Sequence, residues 1–208
     1  MKIYLSPSDQ SDNVTATGNT EADQCGNIAR KCAELLNKRG HITLVGDNSS
    51  RKSYVKRVQE SNKFGADLHI CIHTNAGGGK GTLVMCSEKS KNNQYVRNVY
   101  NSVARLTPTP DKGIQVRYDL YEINATKAVC IYLEVEFHDN QHTQAWILDH
   151  LDEIAEAIAD GISPVTETIL YKVQVGAFKE QENAIKLVEK LKELGYVAII
   201  TEERRKEK

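Results

Sequence analysis

The stretch AVCIYLEVEFHDN, residues 128–140, decides the fold of this 208-residue chain. Its long apolar run is typical of a strand at the centre of a sheet that is covered on both faces. Two carboxylates interrupt the run, at Glu134 and Glu136. A carboxylate in such a place costs free energy unless it is paired or binds a metal. Strand alternation predicts that Glu134, Glu136 and His138 share one face, and Glu134 is the strongest candidate for a functional role.

Predicted strands and helices alternate on both sides of this stretch. Apolar runs predict further strands at residues 3–5, 41–45, 67–73 and 81–87. Apolar residues at helical spacing predict helices at residues 21–39, 53–64, 90–106 and 141–161. The alternation predicts an α/β fold, with a mainly parallel, twisted sheet flanked by helices, as one domain over residues 1–162.

Composition argues against several classes of protein. The chain has 27 basic and 28 acidic residues and a net charge of −1, so nucleic acid is not the expected partner. A mean hydropathy of −0.48 and the lack of a long apolar run predict no membrane span. The N-terminus lacks the regions of a signal peptide, so we expect synthesis in the cytoplasm. Five cysteines without a CxxC pair predict buried, free thiols.

Two further candidates come from other predicted elements. His73 ends the strand in DLHICIHTNAGGGKG, residues 67–81, and the glycines after it leave room for a ligand. His69 lies on the same side but deeper, as a buried, supporting histidine. Glu21 falls in the first turn of a helix, where it either complements the helix dipole or faces the carboxyl edge of the sheet. A carboxylate and imidazoles around an open position suit a catalytic zinc, with another glutamate as general base.

These segments resemble the zinc-dependent N-acetylmuramoyl-L-alanine amidases of the Amidase_3 type, especially the endolysin and prophage branch of Gram-positive hosts. Residues 67–82 resemble the family's IHxNA…GxG segment, and YLEVEFHDN resembles its ExxFxxN segment. The resemblance covers residues 1–162. It implies a Zn²⁺ ion held by Glu21 and His73, with Glu134 as the catalytic glutamate. The implied substrate is the amide between N-acetylmuramic acid and L-alanine in peptidoglycan.

The chain departs from this family in the loop after the first strand. The family usually supplies another zinc-binding histidine there, whereas this loop reads LSPSDQ, residues 5–10. We predict His138 as the replacement metal ligand, with Asp9 as the alternative. Another alternative is a site that binds zinc weakly through only two protein ligands. Two other functions remain as alternatives: a metal-depleted module that only binds peptidoglycan, and a zinc peptidase that cuts stem peptides.

Three polar residues near these segments are candidates for substrate binding. Lys80, in the glycine-rich loop, could meet a carboxylate of the muropeptide. Asn75 and Asn140 could orient the backbone or the substrate. The GGGKG run lacks the spacing of a phosphate-binding loop, so we predict no nucleotide site.

The C-terminal part reads as a separate, smaller unit. Residues 163–168, SPVTET, are the predicted linker. Residues 169–208 follow as a predicted βαβ unit that resembles the start of a SPOR domain, which binds glycan strands stripped of stem peptides. Gln174 is its candidate wall-contact residue. That family normally has two such halves, so the chain is either truncated there or pairs with a second copy as a homodimer.

These features predict a protein that acts on the cell wall. Peptidoglycan is the expected partner. Because no signal peptide is recognised, we expect release through a holin or through lysis of the cell. A phage lysin and an autolysin both fit this expectation.

Overall fold

A computed structural model of the chain describes residues 1–51, 53–165 and 173–202. The chain divides into two units, Met1–Val165 and Thr166–Lys208. The strands are β1 (Lys2–Pro7), β2 (Ile42–Val45), β3 (Leu68–Asn75), β4 (Leu83–Cys86), β5 (Gly113–Val116) and β6 (Val129–Phe137). The helices are α1 (Glu21–Lys38), α2 (Tyr54–Phe64), α3 (Gln94–Leu106), α4 (Tyr121–Ala125), α5 (Gln141–Asp149), α6 (Leu151–Ile162) and α7 (Gln181–Glu193).

The six strands form one sheet in the order β2-β1-β3-β6-β4-β5. All neighbouring strands run parallel except β4 and β6, which are antiparallel. The predicted α/β fold with a mainly parallel, helix-flanked sheet is therefore confirmed. Strand β6 lies between β3 and β4 and is contacted by helices on both faces, which explains its long apolar run.

The two faces of the sheet differ in polarity. One face packs its isoleucine and leucine side chains against α1, α3 and α6 and forms the main apolar core. The other face, next to α2 and α4, has only a small apolar cluster and several buried polar side chains, among them Tyr4, His69 and Arg57. All five cysteines are buried and free, as predicted.

The pairing of β3 with β6 shifts by one residue near its carboxyl end. His73 pairs with Glu134, but Asn75 pairs with Phe137, so β6 holds one extra residue in this interval. Such a bulge interrupts the strict alternation of side chains between the two faces. The register of β6 before the bulge therefore does not predict the faces after it.

The prediction that Glu134, Glu136 and His138 share one face is wrong for this reason. Glu136 is fully buried and accepts a hydrogen bond from the Gly81 N–H at 2.7 Å. His138 lies with its Nδ1 2.8 Å from Oγ1 of Thr74. Since Thr74 follows His73 on β3, its side chain points to the opposite face of the sheet from His73.

The predicted closing helix is divided into α5 and α6 at His150. The Nδ1 atom of this histidine lies 2.8 Å from the carbonyl oxygen of Trp146, and its ring stacks on the Trp146 ring. His150 therefore makes both contacts at the residue where α5 ends and α6 begins. None of the helices in the described ranges has the length and apolar character needed to cross a membrane.

The second unit contains the helix of the predicted βαβ arrangement, α7. The first strand of this arrangement is predicted at residues 169–178 and the second at residues 196–201, and residues 169–172 lie outside the described residues. Residues 173–178 and 196–201 are described and form no strand, contrary to the prediction. A strand exists only through hydrogen bonds to a neighbouring strand, and these two segments show no such pairing. No residue of α7 is buried.

Candidate active site

Glu21 and His73 are in direct contact at the carboxyl edge of the sheet. His73 Nδ1 lies 2.9 Å from Glu21 Oε1, and both side chains are buried. Thr20 places Glu21 there, because it caps α1 by accepting a hydrogen bond from the Asp23 N–H. Asn13 Nδ2 donates a hydrogen bond to the other carboxylate oxygen of Glu21 at 2.7 Å. The fold therefore brings together two residues that lie 52 positions apart in the sequence.

Opposing effects act on the pKa of each of these two groups. Burial raises the pKa of Glu21, but the hydrogen bond and charge of His73, together with Ser8 and Asn13, outweigh burial and lower it. Burial lowers the pKa of His73, but Glu21 and the charge of Glu134 outweigh burial and raise it. Each of the two pKa shifts favours the charged form of its group.

Glu134 lies next to this pair. It occupies the position on β6 directly paired with His73 on β3. Burial and the charge of Glu21 raise the pKa of Glu134 to about 7, although His73 acts in the opposite direction. The Tyr132 ring stacks on the His73 ring at a centroid distance of 4.5 Å and supports it from the same strand as Glu134.

A chain of buried amides, which the sequence analysis missed, supports His138. Gln144 donates a hydrogen bond to Gln24, and Gln24 donates one to Thr74 Oγ1 at 2.6 Å. Thr74 in turn contacts His138 Nδ1. Gln24 follows Glu21 by three residues and shares its side of α1, which is the one sequence signal that could have indicated it.

Three buried atoms at this edge lack hydrogen-bond partners: Nε2 of His73, Oε2 of Glu134 and Nε2 of His138. Buried polar atoms are normally satisfied, so unsatisfied ones indicate a missing ligand or a catalytic role. The residues at this edge therefore fit a metal ion.

His138 remains a predicted ligand. Within the described parts of the chain, one group of three His, Cys, Asp or Glu residues has all its ligand atoms within 4.8 Å of one another, and it includes none of Glu21, His73 and His138. The alternative ligand, Asp9, is already engaged. Its Oδ2 accepts hydrogen bonds from the Ser53 N–H at 2.7 Å and the Ser53 hydroxyl at 2.8 Å, and it pairs with Arg57 at 3.4 Å.

Two of the predicted substrate-binding residues make hydrogen bonds to residues close to them in the sequence. Asn140 caps α5 by accepting hydrogen bonds from the N–H groups of His142 and Thr143. Gln174, in the second unit, is exposed and donates to the carbonyl oxygen of Gly176.

The glycine-rich loop after β3 carries the other two predicted residues. Lys80 is exposed, and Asn75 is half-buried and accepts a hydrogen bond from the Ala76 N–H. Asp139, which the sequence analysis did not single out, holds this loop, because its Oδ2 accepts from the N–H groups of Gly77 and Gly78 at 2.7 Å each.

A cavity of about 400 Å³ opens beside His73 and Tyr132. Its lining is Asp9, Gln10, Arg51, Tyr54, Arg57, His73, Asp119, Leu120, Tyr121, Glu122 and Tyr132. The lining combines two arginines, three tyrosines and three carboxylates, and Arg57 is paired with Asp9, so the cavity suits a polar substrate.

Solved amidases share this fold. The catalytic domain of CwlV, an N-acetylmuramoyl-L-alanine amidase from Bacillus (Paenibacillus) polymyxa, aligns with a TM-score of 0.69 and 21% identity over 78% of this chain and 97% of that one. AmiC2 of Nostoc punctiforme aligns with a TM-score of 0.70 and 18% identity over 78% and 94%. These likenesses establish the fold.

The chain belongs to the Amidase_3 family, described as N-acetylmuramoyl-L-alanine amidase, whose model matches residues 6–164. A SPOR domain model matches residues 168–208. The amidase CwlM of Bacillus licheniformis is 22% identical over 96% of this chain and 84% of its own length. The endolysin of Bacillus phage SPP1 is 26% identical over 73% and 60%. The protein is a peptidoglycan amidase.

Proposed function

We propose that this amidase is zinc-dependent, with Glu21 and His73 as metal ligands, His138 as the third ligand and Glu134 as the general base. The observation that carries the proposal is the paired position of His73 and Glu134, each with a buried atom that has no hydrogen-bond partner. A bound zinc ion would polarise the scissile carbonyl and lower the pKa of water.

Residues of the chain are proposed to transfer the proton, support the His73 ring and orient the substrate. Glu134 Oε2 accepts the proton of the attacking water and returns it to the leaving amine of L-alanine. Burial raises the pKa of this carboxyl above its usual range, and a general base works best when its pKa lies near the working pH. Tyr132 and Glu21 hold the His73 ring in place, and Arg51 and Tyr54 in the cavity orient the substrate.

The test combines metal analysis with identification of the products. Purified protein is incubated with peptidoglycan, and new N-terminal groups and freed glycan are analysed. An N-terminal L-alanine with intact glycan supports the proposal. Cleavage within the stem peptide would indicate a zinc peptidase instead. A folded protein that binds the wall but contains no zinc and releases nothing would indicate a binding module.

We propose residues 1–162 as the catalytic domain, 163–168 as a linker and 169–208 as a wall-binding unit that pairs with a second copy. The support for pairing is the apolar surface of the described part of this unit. Val173, Val197 and Ile199 are 85%, 99% and 78% exposed. Burying such side chains against a second copy would stabilise both. Analytical ultracentrifugation of the full chain tests this, and a monomer at all concentrations would contradict it.

The proposed site of action is the cell wall, reached after release by a holin or by lysis. The supporting observations are the family match and the likeness to a phage endolysin. Asn75, Lys80 and Asn140 remain proposed contacts for the glycan or peptide, and Gln174 remains one for the glycan strand.

A further inference from the structure

A second group of metal-binding side chains lies on the polar face of the sheet, next to α2 and α4. His69 and Cys71 are two residues apart on β3, and Cys130 pairs with His69 from β6. One ring nitrogen and the two Sγ atoms all lie within 4.8 Å of one another. All three residues are at most 2% exposed. None of them has a part in the hydrolysis described above.

The separation of the two sulfur atoms fits a shared metal ion. Cys71 Sγ and Cys130 Sγ are 3.9 Å apart. A disulfide would require about 2.05 Å. Two thiolates bound to a tetrahedral zinc ion, each at about 2.3 Å, stand about 3.8 Å apart. The two cysteines are therefore already spaced for zinc.

His69 has one ring nitrogen next to a carboxylate and the other without a hydrogen-bond partner. Its Nε2 lies 3.2 Å from Glu122 Oε1, and its Nδ1 is buried without a hydrogen-bond partner. When Nε2–H donates to the carboxylate, Nδ1 presents a lone pair. Metal-binding histidines characteristically donate their other ring N–H to such a carboxylate. Ser6 donates to the same Glu122 oxygen and keeps it in place.

The charge balance also favours a divalent, sulfur-preferring ion. A buried dication costs much free energy unless its charge is neutralised. Two thiolates supply two negative charges, and both thiol protons leave for solvent when the ion binds. Thiolate ligands select zinc over the oxygen-preferring ions Mg²⁺ and Ca²⁺.

We propose that His69, Cys71 and Cys130 bind a zinc ion at a site separate from Glu21 and His73. The three protein ligands come from the two central strands, so the ion would tie β3 to β6. Cys71 pairs with Tyr132, the residue that stacks on His73. One proposed ligand of this ion is therefore the strand neighbour of Tyr132, which contacts His73.

Cobalt substitution separates this site from the catalytic one. Thiolate ligands give Co²⁺ an intense charge-transfer band in the near ultraviolet, whereas the proposed catalytic ligands are only carboxylate and imidazole. Metal-free full-length protein is loaded with Co²⁺. We expect the band in wild type, in His73→Ala and in the control Cys32→Ser, which replaces a buried core thiol on α1. We expect its loss in Cys71→Ser, with one fewer zinc ion per chain.

A measurement on wild type alone guards against misfolding of the Cys71 variant. X-ray absorption at the zinc edge of the zinc-loaded full chain should show sulfur neighbours at about 2.3 Å. Zinc with only nitrogen and oxygen neighbours, or no charge-transfer band in folded wild type, would overturn the proposal. Sulfur neighbours in a protein that does not cleave peptidoglycan would support this site and refute the catalytic assignment.

Discussion

His73 on β3 lies directly opposite Glu134 on β6, and the register of the two strands shifts immediately beyond this pair. The sheet itself therefore sets the distance between the imidazole and the carboxylate, so no loop has to close to bring them together. A site on paired central strands is more rigid than one built on loops. The following predictions test this arrangement and the elements around it.

Replacement of Glu134 by glutamine should abolish most hydrolysis while the fold and the zinc content persist. Glutamine has the same shape but cannot accept the proton, and removing a general base typically lowers turnover by about 10²- to 10⁴-fold. Turnover on purified peptidoglycan and zinc content are measured together. Near-full activity in the variant would show that Glu134 is not the base.

Glu136→Gln is the matched control, because Glu136 lies on the same strand two residues after Glu134 but contacts different residues. The Glu136 carboxylate accepts hydrogen bonds from the Gly81 N–H and from the hydroxyl of Thr109. We expect lower thermal stability and largely retained turnover at temperatures where the variant is folded.

Zinc analysis of His73→Ala and His138→Ala distinguishes the ligand sets. We expect each variant to lose the catalytic zinc, and chelation of wild type to stop hydrolysis until zinc is restored. His142→Ala is the control, since this histidine lies at the exposed start of α5. If only His73→Ala lost zinc, His138 would instead be a substrate-contacting or supporting residue.

Gly161→Ala should destabilise the first unit by about 1–3 kcal/mol. A Cβ atom at this position of α6 would lie 2.5 Å from the Cα atom of Val99 on α3, so one helix backbone must move. Chemical denaturation measures the change. Gly26→Ala on α1 should cost much less, because its nearest neighbours are the tips of the Asn48 and Arg30 side chains, the closest at 3.1 Å.

Asp139→Ala should loosen the glycine-rich loop without unfolding the domain. The substitution removes two charge-assisted hydrogen bonds to Gly77 and Gly78, which are worth about 1 kcal/mol or more together at a largely exposed site. Hydrogen exchange at these two amides should accelerate several-fold. Unchanged exchange would mean that the loop is held by other contacts.

A fragment of residues 1–165 should retain hydrolysis of small soluble muropeptides and lose most binding to intact sacculi. The prediction follows from the division into two units and the SPOR match. Sedimentation of each protein with sacculi stripped of stem peptides measures binding. Equal binding by the fragment and the full chain would assign wall recognition to the amidase domain.

Local patterns in the sequence were sufficient for the sheet class and indicated His73 and Glu134 as candidate site residues. The apolar run of β6 and the alternation of strands and helices predicted the fold, and the strand end before the glycine-rich loop indicated His73. Glu21 was a candidate from its place in the first turn of a helix, but a glutamate there is ordinary on its own, and its role as a metal ligand came from the resemblance. Its contact with His73 arises only in the tertiary structure.

The sequence by itself determined most of the strands and helices of the first unit, because hydrophobic periodicity is a local property. Only the tertiary structure decided what lies beyond the bulge in β6. One extra residue placed His138 against Thr74 and Glu136 against the Gly81 loop, although simple alternation predicted both beside Glu134. Strand register likewise brought His69, Cys71 and Cys130 together, since pairing between strands depends on long-range contacts that no local pattern specifies.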